Sequence, residues 1–143
     1  MTALYLDSSA LVKLYLTENP GQRQTVLDAL EEHDGRVVIS AIGCAEVASA
    51  LARYFHEGRM DEEEYGRAIG VLQEDWESVN VVDVLPEISV RAGQLLKAQR
   101  GLRAMDALHL ASALSVRAVE EVKFLTFDTL LQAVAGRLMP GAV

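Results

Sequence analysis

Four short apolar runs punctuate the chain: Leu4-Tyr5-Leu6, Arg36-Val37-Val38-Ile39, Val81-Val82-Asp83-Val84 and Lys123-Phe124-Leu125-Thr126. Between them lie stretches with apolar residues at helical spacing, each long enough for one or two helices. A strand that rejoins its sheet through a helix runs parallel to the strand before it. This alternation predicts an α/β fold, a parallel sheet with helices on both faces. The 143 residues amount to one domain, 1–143. Half of them are apolar (50%) and 24% are charged, enough to bury a core on each side of the sheet.

The punctuation places the elements. A helix is expected from Ser8 to Leu16, broken by Pro20-Gly21, and a second from Gln22 to His33. Ser40 is the expected cap of a helix from Ala41 to Glu57, which Gly58 stops. Asp61 and Glu64 have capping-box spacing for a helix ending near Ser78. Pro86 opens a helix that ends near Arg100-Gly101, and further helices span Ala104–Val116 and Thr129–Ala135. Leu138-Met139 is the expected edge strand. No apolar run approaches the ~20 residues a bilayer requires, and the amino terminus lacks a basic region before an apolar one. A single cysteine, Cys44, excludes a disulfide framework and a cysteine-rich zinc site. The expected compartment is the reducing cytoplasm, without a membrane.

Lys and Arg total 13 against 21 Asp and Glu, a net charge of −8. Such a balance does not advertise nucleic acid. The acids are either solvated surface, as at positions 61–64 and 74–77, or gathered at a site that a cation neutralises.

Parallel sheets bind ligands beyond the carboxyl ends of their strands, where strand order reverses. Asp7 and Asp128 stand at such ends, and either could simply cap the helix that follows. Glu46 lies one turn into a helix whose nearby positions are Ile42, Gly43, Ser49 and Ala50, with no base to pair it. Asp106 begins an apolar helix, where the dipole favours an anion and Arg103 is at hand. Each acid has a structural excuse, but the excuses do not explain the conjunction. All four can converge on one edge of a parallel sheet, and converging carboxylates stay ionised only with a cation. Hard oxygen donors of this kind suit Mg²⁺ or Mn²⁺.

The segments Leu4-Tyr5-Leu6-Asp7-Ser8-Ser9-Ala10-Leu11, Met105-Asp106-Ala107-Leu108-His109-Leu110-Ala111 and Leu125-Thr126-Phe127-Asp128, with the small-residue helix carrying Glu46, resemble the acidic motifs of PIN-domain ribonucleases. Their order, spacing and chain length are similar to VapC-type toxins of toxin–antitoxin pairs. The resemblance implies a sheet of about five parallel strands and a Mg²⁺- or Mn²⁺-dependent endoribonuclease cleaving RNA phosphodiesters. It also implies a cognate antitoxin, a homodimer and a toxin–antitoxin hetero-oligomer. Asp7, Glu46, Asp106 and Asp128 become the acidic set. Asp7 and Asp106 are the first choices for direct metal ligands, Asp128 completes the site, and Glu46 binds metal or positions water.

Ser8 and Thr126 are hydroxyls beside two of the acids. Both are expected to support the site, Thr126 chiefly in its structural role as a strand threonine. His109 shares a helix face with Asp106 and is expected to be a satisfied buried histidine. Arg100 and Arg103 are candidates for phosphate contact at the rim, while Cys44, Trp76, Tyr15 and Tyr54 are expected in packing. Three rival readings remain: a phosphate-accepting receiver domain, a haloacid-dehalogenase phosphatase, and a catalytically inactive PIN-like interaction module. The first wants paired acids after the opening strand and a Lys after the last. The second wants an acid where Ser9 stands. The third wants one of the four acids missing.

Overall fold

Strand β1 (Thr2–Leu6) is flanked on both sides in the computed structural model, which describes residues 2–143. On one side it pairs with β2 (Val37–Ser40), which in turn carries β3 (Asn80–Val82); on the other it pairs with β4 (Glu121–Leu125). All pairings are parallel and the order is β3-β2-β1-β4. The chain steps outward from β1 to β3 and then crosses back to place β4 on the vacant side. The strand order therefore reverses at β1, and Asp7 leaves its carboxyl end.

The helices are α1 (Ser8–Leu11), α2 (Pro20–Glu32), α3 (Ile42–His56), α4 (Glu62–Ser78), α5 (Pro86–Ala98), α6 (Ala104–Arg117) and α7 (Thr129–Leu138). Alternation along β1 divides the interior in two. Ala3 and Tyr5 face a core completed by α5, α6 and α7, through residues such as Leu95, Leu110 and Val134. Leu4 and Leu6 face a second core, with Leu11, Val26, Leu51 and Leu72 from α1 to α4. Each such leucine contributes roughly 1.5–3 kcal/mol by leaving water. Among the described residues no helix is long and apolar enough to cross a membrane.

Local chemistry sets the boundaries. Asp61 Oδ1 accepts from the Glu64 N–H at 2.8 Å and Glu64 returns a bond to the Asp61 N–H, the expected capping box. Gly58, at φ +72°, ends α3. The N–H of Gly58 bonds to Phe55 and that of Arg59 to Tyr54, closing the last carbonyls in a left-handed turn.

Several expectations need correction. Among the described residues the sheet has four strands, not about five. Leu138-Met139 is no edge strand: α7 runs through Leu138, and Met139 is fully buried in the core beneath it. A single rung, Phe124 N–H to the Ala142 carbonyl at 2.7 Å, marks where a fifth strand would lie. The first helix is shorter than expected, because Val12–Leu14 tightens into a 3₁₀ turn. Pro20 opens α2 instead of breaking a helix, with Asn19 as its cap, since proline at the first helical position forfeits no hydrogen bond. Ala41, not Ser40, occupies the cap position of α3, although Ser40 Oγ still accepts from the Ile42 N–H at 3.3 Å. Asp83 lies exposed beyond β3 instead of within a strand.

Candidate active site

Asp7 is the most enclosed of the four acids, with 3% of its surface exposed. It caps α1, and Oδ1 accepts from the Ala10 N–H at 3.1 Å and from Ser9 Oγ at 2.7 Å. Oδ2 accepts from Thr126 Oγ1 at 2.6 Å. Both hydroxyls are themselves held by the turn after β4: Ser9 Oγ accepts from the Phe127 N–H and Thr126 Oγ1 from the Asp128 N–H. Thr126, just past the end of β4, thus holds a carboxylate. Burial pushes the Asp7 carboxyl above the usual aspartate range, and the bonds from Thr126, Ser9 and Ala10 oppose that shift without cancelling it.

Glu46 sits on α3 and faces Asp7's helix. Its Oε2 accepts from Ser8 Oγ at 3.0 Å. Its Oε1 is 2.6 Å from His109 Nε2, and His109 Nδ1 is 2.8 Å from the Tyr5 hydroxyl. His109 is the buried, satisfied histidine expected, but one of its partners is a candidate catalytic acid. Ser9, Tyr5 and the His109–Glu46 contact went unread in the sequence. A serine two residues after a strand-end aspartate is a usable signal for the first. Nothing in the linear spacing reveals the last.

Asp106, in the first turn of α6, reaches back to its own helix start, where Oδ2 accepts from the Arg103 N–H at 3.2 Å. Asp128 is exposed and caps α7, accepting from the Leu131 N–H at 2.9 Å. The structure therefore ties Asp7 through Ser9 and Thr126 to the turn that leads into Asp128, ties Glu46 to Ser8 and His109, and leaves the side chains of Asp106 and Asp128 capping helices on the same edge of the sheet. Among the described residues, no three His, Cys, Asp or Glu side chains stand close enough together to hold an ion.

Ser8, Ser9, Glu46, Arg53 and Met105 line an open groove of about 530 Å³. A depression of about 580 Å³ at the opposite end of the sheet, bordered by Thr2, Arg117 and Pro140, contains none of the four acids. Arg100 and Arg103 are exposed. The residues expected in packing are found there: Trp76 lies against the Gly43 backbone, the Tyr54 ring lies under Arg59, and Tyr15 donates to Asp75. Cys44 is half-buried, and burial pushes its thiol up.

A parallel sheet reversing at β1, with a buried acid at the switch point and three more acids on the same edge, defines an α/β domain built around a carboxylate site. The PIN domain family model matches residues 4–137, and the chain belongs to that family. Within it, the chain is 33% identical over 116 residues to ribonuclease VapC45 of Mycobacterium tuberculosis strain CDC 1551, covering 81% of this chain and 78% of that protein. Ribonuclease VapC47 of the same strain is 27% identical over 128 residues, covering 87% and 84%. Among solved structures, VapC20 of M. tuberculosis, described as a sarcin-ricin loop cleaving toxin, superposes with a TM-score of 0.66 at 18% identity, covering 92% of this chain and 95% of that one. A chain of a toxin–antitoxin complex from Klebsiella pneumoniae gives 0.62 at 24% identity, covering 89% and 87%. At these identities the two structures speak for the fold.

Proposed function

We propose that this chain is a Mg²⁺- or Mn²⁺-dependent endoribonuclease and the toxin of a toxin–antitoxin pair. The observation that carries the reading is Asp7, buried at the switch point of a PIN fold beside Glu46 and an open groove. The VapC ribonucleases that resemble the chain support RNA as the substrate.

The donor chemistry fits a hard divalent cation. Asp7 is a carboxylate whose charge is left undercompensated by three hydrogen bonds, so a cation at its edge would stabilise the ionised form. Asp7, Asp106 and Asp128 are the residues that would hold it, with Asp106 and Asp128 leaving their caps to do so, since among the described residues no three such groups stand close enough together. When bound, the cation supplies water activation and charge stabilisation at the leaving oxygen. The remaining work falls to the chain. Ser9 and Thr126 fix the Asp7 carboxylate in one orientation. Glu46 keeps lone pairs beyond those used by Ser8 and His109, and with them it orients the attacking water and accepts its proton. Arg53 in the groove, with Arg100 and Arg103 on the exposed surface, offers contacts for phosphate oxygens.

The test is cleavage of RNA by the purified chain in Mn²⁺ and in EDTA, with Asp106→Asn beside wild type. Wild type should cut only with Mn²⁺, and Asp106→Asn should be inactive with an unchanged melting curve. Equal cleavage in EDTA, or full activity of Asp106→Asn, overturns the mechanism. The separation of Asp106 and Asp128 from Asp7 favours one rival, an inactive PIN-like binding module, which predicts no cleavage under either condition.

The partner in this reading is a small antitoxin whose tail presents arginine to the acids, because a guanidinium matches a carboxylate with two parallel bonds. A homodimer contact through the faces of α1, α2 and α3 belongs to the same reading. Expression of the chain alone should arrest growth, and co-expression of such an antitoxin should relieve it. Harmless accumulation of active enzyme would count against the pair.

A further inference from the structure

We propose that His109, oriented by Tyr5, is the positioning residue that holds Glu46 in its working orientation. The proposal rests on the nuclease reading above and deepens it. An ionised carboxylate only accepts hydrogen bonds, so the 2.6 Å contact puts the proton on His109 Nε2. Nδ1 is then free to accept from the Tyr5 hydroxyl at 2.8 Å. A phenol keeps its proton at neutral pH, so the buried Tyr5 hydroxyl has a hydrogen to donate. Ser112, one turn after His109 on α6, carries a fully buried hydroxyl with no hydrogen-bond partner of its own. The result is a line of donors from the core to the groove, ending on Glu46.

Three features separate this from ordinary satisfaction of a buried histidine. Glu46 is 21% exposed, so water could solvate it without His109. Its other oxygen is held by Ser8, so the two contacts together fix the plane of the carboxylate. The anchor is rigid, because Tyr5 belongs to the central strand and stacks on Phe124 with ring centroids 5.3 Å apart. His109 lies three residues after Asp106, on the same face of α6. One helix thus presents a candidate ligand and, a turn later, the group that aims Glu46.

The experiment uses the full chain, Mn²⁺ and a fluorogenic RNA oligonucleotide. His109→Leu should lower kcat by about 10–100-fold, the cost usual for losing a partner that orients a site carboxylate, and leave KM unchanged. His109→Gln keeps an N–H near the Nε2 position and should recover most of the loss. Tyr5→Phe should lower kcat at unchanged KM, and serves alone if His109→Leu melts far below wild type. Side-chain ¹H–¹⁵N correlation spectra of wild type should show His109 as the Nε2–H tautomer, and Tyr5→Phe should mix the two tautomers. Wild-type kcat in both His109→Leu and Tyr5→Phe overturns the proposal. So does a His109→Gln variant that melts normally and is no faster than His109→Leu. If wild type cuts no RNA, the nuclease reading falls, while the spectra still decide the contact chain: the Nε2–H tautomer upholds it and the Nδ1–H tautomer overturns it.

Discussion

Asp7 and Asp128 are both helix caps, yet they stand in opposite circumstances. Asp128 is exposed and its side chain does one visible thing, accepting from the Leu131 N–H. Asp128→Ala should cost ~1 kcal/mol by urea unfolding in EDTA, whereas Asp128→Asn should be nearly neutral, since asparagine caps as well as aspartate. Asp7 is buried and its carboxyl is raised, so the folded chain binds that proton more tightly than the unfolded chain does. Stability in EDTA should therefore fall as pH rises from the ordinary aspartate range through the raised value, and level off above it. Asp7→Asn should remove that part of the slope, measured as the difference between the two proteins' urea midpoints across the acid range. A pH-independent difference would show that burial does not tax the charge. A linear reading picks out the four acids as candidates, because each stands at a strand end or within the first turns of a helix that such a reading can locate. It could not name Tyr5, Ser9 or the His109–Glu46 contact. Those depend on β1, α3 and α6 meeting in space, with Glu46 and His109 separated by 63 residues.

At the level of elements, α3 must approach α1 closely for Ser8 to reach Glu46. Gly43 permits it: a Cβ there would stand 3.3 Å from Leu11 Cδ2 and 3.5 Å from Trp76 Cη2. Alanine is a marginal fit whose better helix propensity offsets the crowding. Gly43→Leu should instead wedge α3 away from α1 and α4, costing about 1–3 kcal/mol in chemical denaturation and lowering activity by displacing Glu46. An unchanged midpoint would mean that Leu11 and Trp76 yield without moving the helix. The alternation of strands and helices was legible because period-2 and period-3.6 patterns differ. The errors fell where one composition serves two states. Leu138-Met139 is apolar because the end of α7 covers the core, not because it extends. Pro20 marks a boundary in either reading, and only the Asn19 cap shows that the helix begins there.

Across the whole molecule, β1 is translated before the other three strands and acquires its second flank from the last of them. Leu6 of β1 pairs with Leu125 of β4, and Asp7 takes its shortest bond from Thr126, 119 residues further on. Pairings that distant form slowly, because the loop between them must close before the contact repays it. Synthesis adds a delay of its own, since the ribosome delivers residues in order. While β4 is still unmade, Asp7, Glu46 and Asp106 can all have emerged, yet Asp7 is a bare acid on a half-covered strand. Neither Thr126 nor the turn that steadies Ser9 exists to enclose it. On the nuclease reading, the protein carries its own timer: a blade that stays unset until β4 and the turn after it have been made.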